Sequence, residues 1–263
     1  MSKARPGRDE RPARPLPSKR AREPRAPTSQ TRATKKTRHS SPVTRHARAS
    51  ELLRILRATY PDAHCELNHD GPFQLLIATI LSAQCTDVRV NLVTPALFQK
   101  YPDPKSMAAA RQEDLEDLVR STGFFRNKAK NIRAAAQALV DHYKGEVPRE
   151  LEPLTHLPGV GRKTANVVLG NAYGIEAGVV VDTHVARLSQ RLGLTKQKDP
   201  VKIEKDLIKQ IPQDTWTLWS HLLIWHGRRR CMARNPDCPN CELRSLCPSA
   251  RKFGKPKAAS SHS

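Results

Sequence analysis

The sequence predicts an all-α protein. Apolar residues recur at helical spacing in almost every segment between about 50 and 250. Strand signals are nearly absent, because the one continuous β-branched run, Val179-Val180-Val181, is too short to count. Residues 1–49 stand apart. They hold seven prolines, many arginines and lysines and almost no large apolar side chains, which reads as a disordered basic tail.

Taken in order, Ser50–Tyr60 reads as a helix with Ser50 as its cap and Leu52, Leu53, Ile55 and Leu56 on its apolar side. Phe73–Ser82 is apolar nearly all round and so should be buried. It gives way to the polar turn Ser82-Ala83-Gln84-Cys85-Thr86-Asp87, and Asp87 should cap a helix over Val88–Phe98. Arg111–Ser121 turns Leu115, Leu118 and Val119 inward and stops at Gly123. Phe124-Phe125-Arg126-Asn127-Lys128 opens a helix that runs to about Tyr143. Aromatic rings beside Arg126 and Lys128 at such a junction suit DNA, since rings stack on bases while cations meet phosphates. Leu151–His156 is a short helix, and Pro200–Ile211 and Thr215–Gly227 are two more, the last with Trp216, Trp219, Leu222, Leu223 and Trp225 in a core.

The chain is organised around Leu157-Pro158-Gly159-Val160-Gly161-Arg162-Lys163. Val160 has no polar side chain to offer, so the loop presents backbone. Gly159 and Gly161 can both take φ > 0 and admit a close approach. A helix over Thr164–Tyr173 follows, and a glycine loop opening a helix is an anion site. Lys163 lies in the first turn of that helix. The positive helix end disfavours an ammonium there by about 0.3–1 kcal/mol, a bias toward the neutral amine that a nucleophile needs. Asp182, between the apolar run and Thr183-His184-Val185-Ala186-Arg187-Leu188, sits where an N-cap belongs. It reads either as a cap alone or as a rigidly held carboxylate aimed into a cleft.

Composition sets further bounds. Net charge is +21, and residues 1–50 alone contribute +12, so long-range attraction to polyanions is concentrated in the tail. No stretch of 18 apolar residues exists, so no membrane span is expected, and the basic N-terminus lacks the apolar segment of a secretory signal. Cys231, Cys238, Cys241 and Cys247 fall within 17 residues, a metal-binding pattern rather than a disulfide framework. Only one pair is tightly spaced, whereas a zinc ribbon would normally give two. The neighbouring Arg228, Arg229, Arg230, Arg234 and Arg244 read as a basic loop that docks on DNA backbone.

The strings LPGVGRKTANVV and VDTHVARL resemble the helix-hairpin-helix DNA glycosylases, most of all the bacterial endonuclease III family, and the similarity runs from about Ser50 to Pro248. The resemblance implies two helical domains flanking a DNA-binding cleft. A six-helix barrel over 67–177 would contain the hairpin at about 150–173. Residues 50–66 and 178–250 would pack around a 4Fe-4S cluster on the four cysteines, with 251–263 a second basic tail. It implies that Lys163 attacks the sugar, that Asp182 is its catalytic partner, that Gln84 enters the space left by an extruded nucleotide, and that Phe124 is either the wedge or a core residue. The backbone of Leu157, Gly159, Val160, Gly161 and Arg162 would grip phosphate. Thr86, Arg126, Lys128, Thr183 and His184 are further candidate DNA contacts.

The implied activity is base excision repair: removal of oxidised pyrimidines from damaged double-stranded DNA, then strand cleavage 3′ to the abasic site. The expected enzyme is a cytoplasmic, nucleoid-associated monomer. An adenine glycosylase-like monofunctional relative and a non-catalytic iron–sulfur DNA-binding protein remain as alternatives.

Overall fold

The computed structural model describes residues 42–253, and every regular element among them is helical. The helices are α1 (Pro42–Thr59), α2 (Pro72–Leu81), α3 (Asp87–Lys100), α4 (Pro104–Ala108), α5 (Gln112–Val119), α6 (Phe125–Tyr143), α7 (Leu151–Thr155), α8 (Arg162–Tyr173), α9 (Thr183–Arg191), α10 (Pro200–Leu207), α11 (Trp216–Arg229) and α12 (Ala250–Phe253). None of the helices described is long and apolar enough to cross a membrane.

Two apolar cores form, and their membership explains the layout. One gathers α2 through α8 around residues such as Leu76, Ile77, Leu97, Leu115, Ile132, Leu139 and Leu169. The fully apolar α2 runs through it, with Leu75 through Leu81 all buried, as a helix without a polar face must. The other joins α1 to α9, α10 and α11 through Leu52, Leu56, Val185, Leu188, Ile203 and Trp219, with Cys231, Cys241 and Cys247 packed on its margin. The chain thus starts the second core, builds the first and returns to finish the second.

Several boundaries differ from the sequence reading. Helix α1 begins at Pro42, not Ser50, so the end of the supposed tail is folded. Ala49 is fully buried, and Arg48 donates to the carbonyls of Leu192 and Leu246, tying α1 to the end of α9 and to the cysteine loop. Residues 1–41 lie outside the described residues. Thr86 caps α3, its hydroxyl accepting from Arg89 N at 3.3 Å, and Asp87 is the first helical residue. The five-residue α4 was not expected; Asp103 and Ser106 close a reciprocal capping box around it. The C-terminal stretch read as tail from 251 continues the short α12 as far as Phe253, and 254–263 lie outside the described residues.

Candidate active site

The hairpin separates its two glycines. Gly159 has φ +76°, and a Cβ there would lie 2.9 Å from Asn131 Cβ on α6, so both conformation and space require glycine. Gly161 has φ −94°, ordinary extended backbone, and acts as the N-cap of α8 with open space around it. Leu157 and Val160 bury their side chains in the first core, so this loop offers its backbone outward. Arg162 is held by a bidentate pair to Glu204 of α10, at 2.7 and 2.9 Å.

Lys163 follows in the first turn of α8. Together with Asn171, Asp182, His184 and His221 it lines a single cleft. Asp182 is the N-cap of α9: its Oδ1 accepts from Val185 N at 2.7 Å, fixing the carboxylate at the cleft edge. Its role as a cap and its position in the cleft are therefore the same fact.

A second acid, Asp87, lines this cleft. Burial pushes its carboxyl above the ordinary range; Lys163 opposes that shift and Asp182 reinforces it. Arg228 of α11 donates to Asp87 Oδ2 at 2.8 Å and also pairs with Glu66, and all three line the cleft. The sequence reading took Asp87 only for a cap and Arg228 for a DNA-facing cation. Arg230 is likewise occupied, by Asp237 and Glu242, at 3.0 and 2.8 Å. Arg229 lies over the Trp225 ring, 3.7 Å from its centroid. No local pattern could have shown this, because Glu66 is 162 residues from Arg228 in sequence.

The remaining candidates divide. Gln84 and Phe124 are exposed, and both have left-handed backbone, φ 52° and 48°, which non-glycine residues adopt rarely. Phe124 is 67% exposed, which excludes a core role. Arg126 is exposed and stacks on Phe125. Thr86 and Thr183 are exposed and His184 is half-buried. Lys128 is not at the surface: it is buried, and its ammonium donates to Thr122 O at 2.8 Å. A cation within a helix's first turn reads as a phosphate contact in sequence, and only the packing shows that it points inward.

The four cysteines line one cavity, closed on one side by α12 and Phe253. Burial and their mutual repulsion raise Cys238 and Cys241, the latter to about 11. Four such sulfurs share a cavity as thiolates only if a cationic centre holds them there. Among the described residues no three His, Cys, Asp or Glu side chains are gathered for a single metal ion. Four cysteine sulfurs around one cavity are a donor set that suits a thiolate-held metal centre. Arg191 also donates to Cys231 Sγ at 3.2 Å.

An all-helical fold in which a backbone-presenting glycine loop opens a helix whose first turn carries a cleft lysine places the chain among the helix-hairpin-helix proteins. Residues 77–213 match the model of the HhH-GPD superfamily base excision DNA repair proteins. Endonuclease III of Synechocystis sp. is 59% identical over 208 residues, covering 79% of this chain and 95% of the relative. A non-covalent endonuclease III–DNA complex superposes with a TM-score of 0.75 at 48% identity, over 79% of this chain and 97% of the other. A trapped endonuclease III–DNA covalent intermediate gives 0.76 at 46% identity, over 82% and 100%. The chain belongs to the HhH-GPD superfamily and, within it, to the endonuclease III family. It is a base excision repair enzyme, a DNA glycosylase with abasic-site lyase activity.

Proposed function

We propose that Lys163 and Asp182 carry out the reaction on an oxidised pyrimidine in double-stranded DNA. The observation that carries this reading is that the two side chains line one cleft, the amine in the first turn of the helix that follows the glycine hairpin and the carboxylate fixed by its cap. The hairpin backbone holds the duplex, and Gln84 and Phe124 fill the gap left by the extruded nucleotide. Damaged bases stack poorly, so extrusion itself contributes to selection.

Neutral Lys163 Nζ forms a bond to C1′ as the C1′–N bond breaks, and the base leaves with the electron pair and takes up a proton. Asp182 stabilises the positive charge developing on the sugar and relays protons. Opening of the sugar ring leaves a Schiff base on Lys163. Loss of a C2′ proton then expels the 3′ phosphate, cutting the strand 3′ to the lesion. The solved covalent intermediate of a relative supports such a route. Cys231, Cys238, Cys241 and Cys247 would hold a 4Fe-4S cluster that cross-links the loop following α11, which freshly purified protein should reveal as broad visible absorption. We place the enzyme in the cytoplasm, at the nucleoid, as a monomer.

Borohydride should trap a covalent adduct between the enzyme and a lesion-bearing duplex. Lys163→Ala should lose it entirely, whereas Asp182→Asn should bind DNA but react far more slowly. An adduct that persists in Lys163→Ala would remove the assignment.

A further inference from the structure

His226, in the last turn of α11, touches two of the four cysteines. Its carbonyl accepts from Cys231 N at 2.8 Å. Its ring lines the cysteine cavity, with Nε2 3.5 Å from Cys241 Sγ. The other ring nitrogen, Nδ1, lies 3.0 Å from the hydroxyl of Tyr60, which directly follows α1. Tyr60 is itself held: its ring meets Trp225 edge-on at 6.3 Å, and the Arg229 guanidinium lies over it, 5.9 Å from its centroid. Both partners are inside the fold, His226 at 2% and Tyr60 at 8% exposure. The chemistry of the sulfur sets the direction of both bonds. A metal-bound thiolate can only accept, so Nε2 must carry the ring hydrogen. A neutral imidazole then has its lone pair at Nδ1, and the Tyr60 hydroxyl is the donor that meets it. Without that hydroxyl the hydrogen could sit on either nitrogen, and the sulfur could face a lone pair.

We propose that Tyr60 and His226 form a two-link chain that fixes a hydrogen bond on the Cys241 sulfur, so that His226 is a positioning residue for the metal centre and helps to set its reduction potential. This rests on the reading of the four cysteines as ligands of a 4Fe-4S cluster. A donated hydrogen bond draws negative charge off a thiolate. That favours the electron-richer state of the centre, and it opposes the protonation by which a thiolate lets go of a metal. The sulfurs are served unequally: Cys231 receives a charged donor from Arg191 and Cys241 a neutral one from His226. The hydroxyl comes from the first helix and the imidazole from α11, 166 residues later. The bond on the sulfur is therefore complete only when the second core has closed.

The test uses the full chain, freshly purified, without DNA. It reads the midpoint potential of the visible-absorbing centre by voltammetry, and the rate at which that absorption fades in the presence of an iron chelator. His226→Phe keeps a ring and removes the N–H. It should lower the potential and speed the fading about 10- to 100-fold, the usual cost of losing a hydrogen bond to a metal ligand. Tyr60→Phe deletes one oxygen and should move both readings the same way by less; it decides the matter if His226→Phe does not fold. Because the hydroxyl acts only through the ring, the double variant should match His226→Phe alone. A packing role would speed fading and leave the potential where it was. An unchanged potential in either variant, or shifts that add in the double variant, overturns the proposal. Unaltered protein without visible absorption would instead overturn the cluster reading on which it rests.

Discussion

Arg162 and Glu204 form a bidentate ion pair that joins the hairpin helix α8 to α10 of the other core. The pair is asymmetric: the Glu204 side chain is 6% exposed and that of Arg162 44%. Asn166 Nδ2 donates to the same carboxylate at 3.2 Å. Arg162→Ala leaves a buried carboxylate with one neutral partner and should cost about 2–3 kcal/mol, below the full figure for a buried pair because the arginine is partly solvated. Glu204→Ala lets the guanidinium turn to water and should cost about 1–2 kcal/mol. Urea midpoints check the order, and the reverse order would contradict the geometry. Gly178→Ala should also destabilise, since its methyl would press on the Glu204 carboxylate and the Asn166 amide.

The two hairpin glycines should respond differently. Gly159→Ala forces an alanine into left-handed backbone at about 1–2 kcal/mol and drives its methyl against Asn131. The hairpin must shift, and affinity for an abasic-site duplex should fall about tenfold or more, equivalent to about 1.4 kcal/mol. Gly161→Ala, with ordinary φ and open space, should fold normally. A titration of both variants decides it; equal losses would argue against the close approach at Asn131.

Acid should weaken the fold partly through His221. In an unfolded chain a histidine titrates near about 6.5, while in the fold burial lowers this one to about 4. Between those values the unfolded chain takes up a proton that the folded chain refuses. Stability therefore falls as pH drops from about 6.5 to 4 and levels off below, by at most about 3 kcal/mol from this residue. His221→Gln should flatten that part of a melting-temperature profile. A profile as steep as that of the unaltered protein would show that other groups dominate.

Much of the fold was legible in the chain, and the exceptions have identifiable causes. Helical periodicity located α2, α6, α8 and α11 because each has a core to fill. The cap at Asp182 was legible because capping is local chemistry. The start of α1 was missed because prolines and arginines outweighed Ala49. Helix α4 was missed because five residues carry no period. Lys128, Arg228 and Arg230 read as free cations, and each has a partner that only the folded chain supplies: a carboxylate for the two arginines, a carbonyl for Lys128. His221 gave no signal, since a histidine within an apolar helix looks like core until Asn171 is found hydrogen-bonded to it.

The basic N-terminal stretch should act on DNA through charge alone. With +10 over residues 1–41, their removal should lower nonspecific affinity and flatten the dependence of log Kd on log salt, by about 0.9 for each phosphate that the tail neutralises. An unchanged slope on the shortened chain would assign phosphate neutralisation to the folded part.

Helix α9 carries Asp182 at its first end and Arg191 at its last, and its nine residues span about 13 Å. Arg191 fastens that far end to the carbonyls of Met232 and Ala233, to Cys231 and to the Phe253 ring. A rod so short tilts as one piece. Oxidative slackening among the sulfurs would therefore reach the carboxylate as a loss of aim, and such a molecule would go on gripping duplexes after its chemistry had failed.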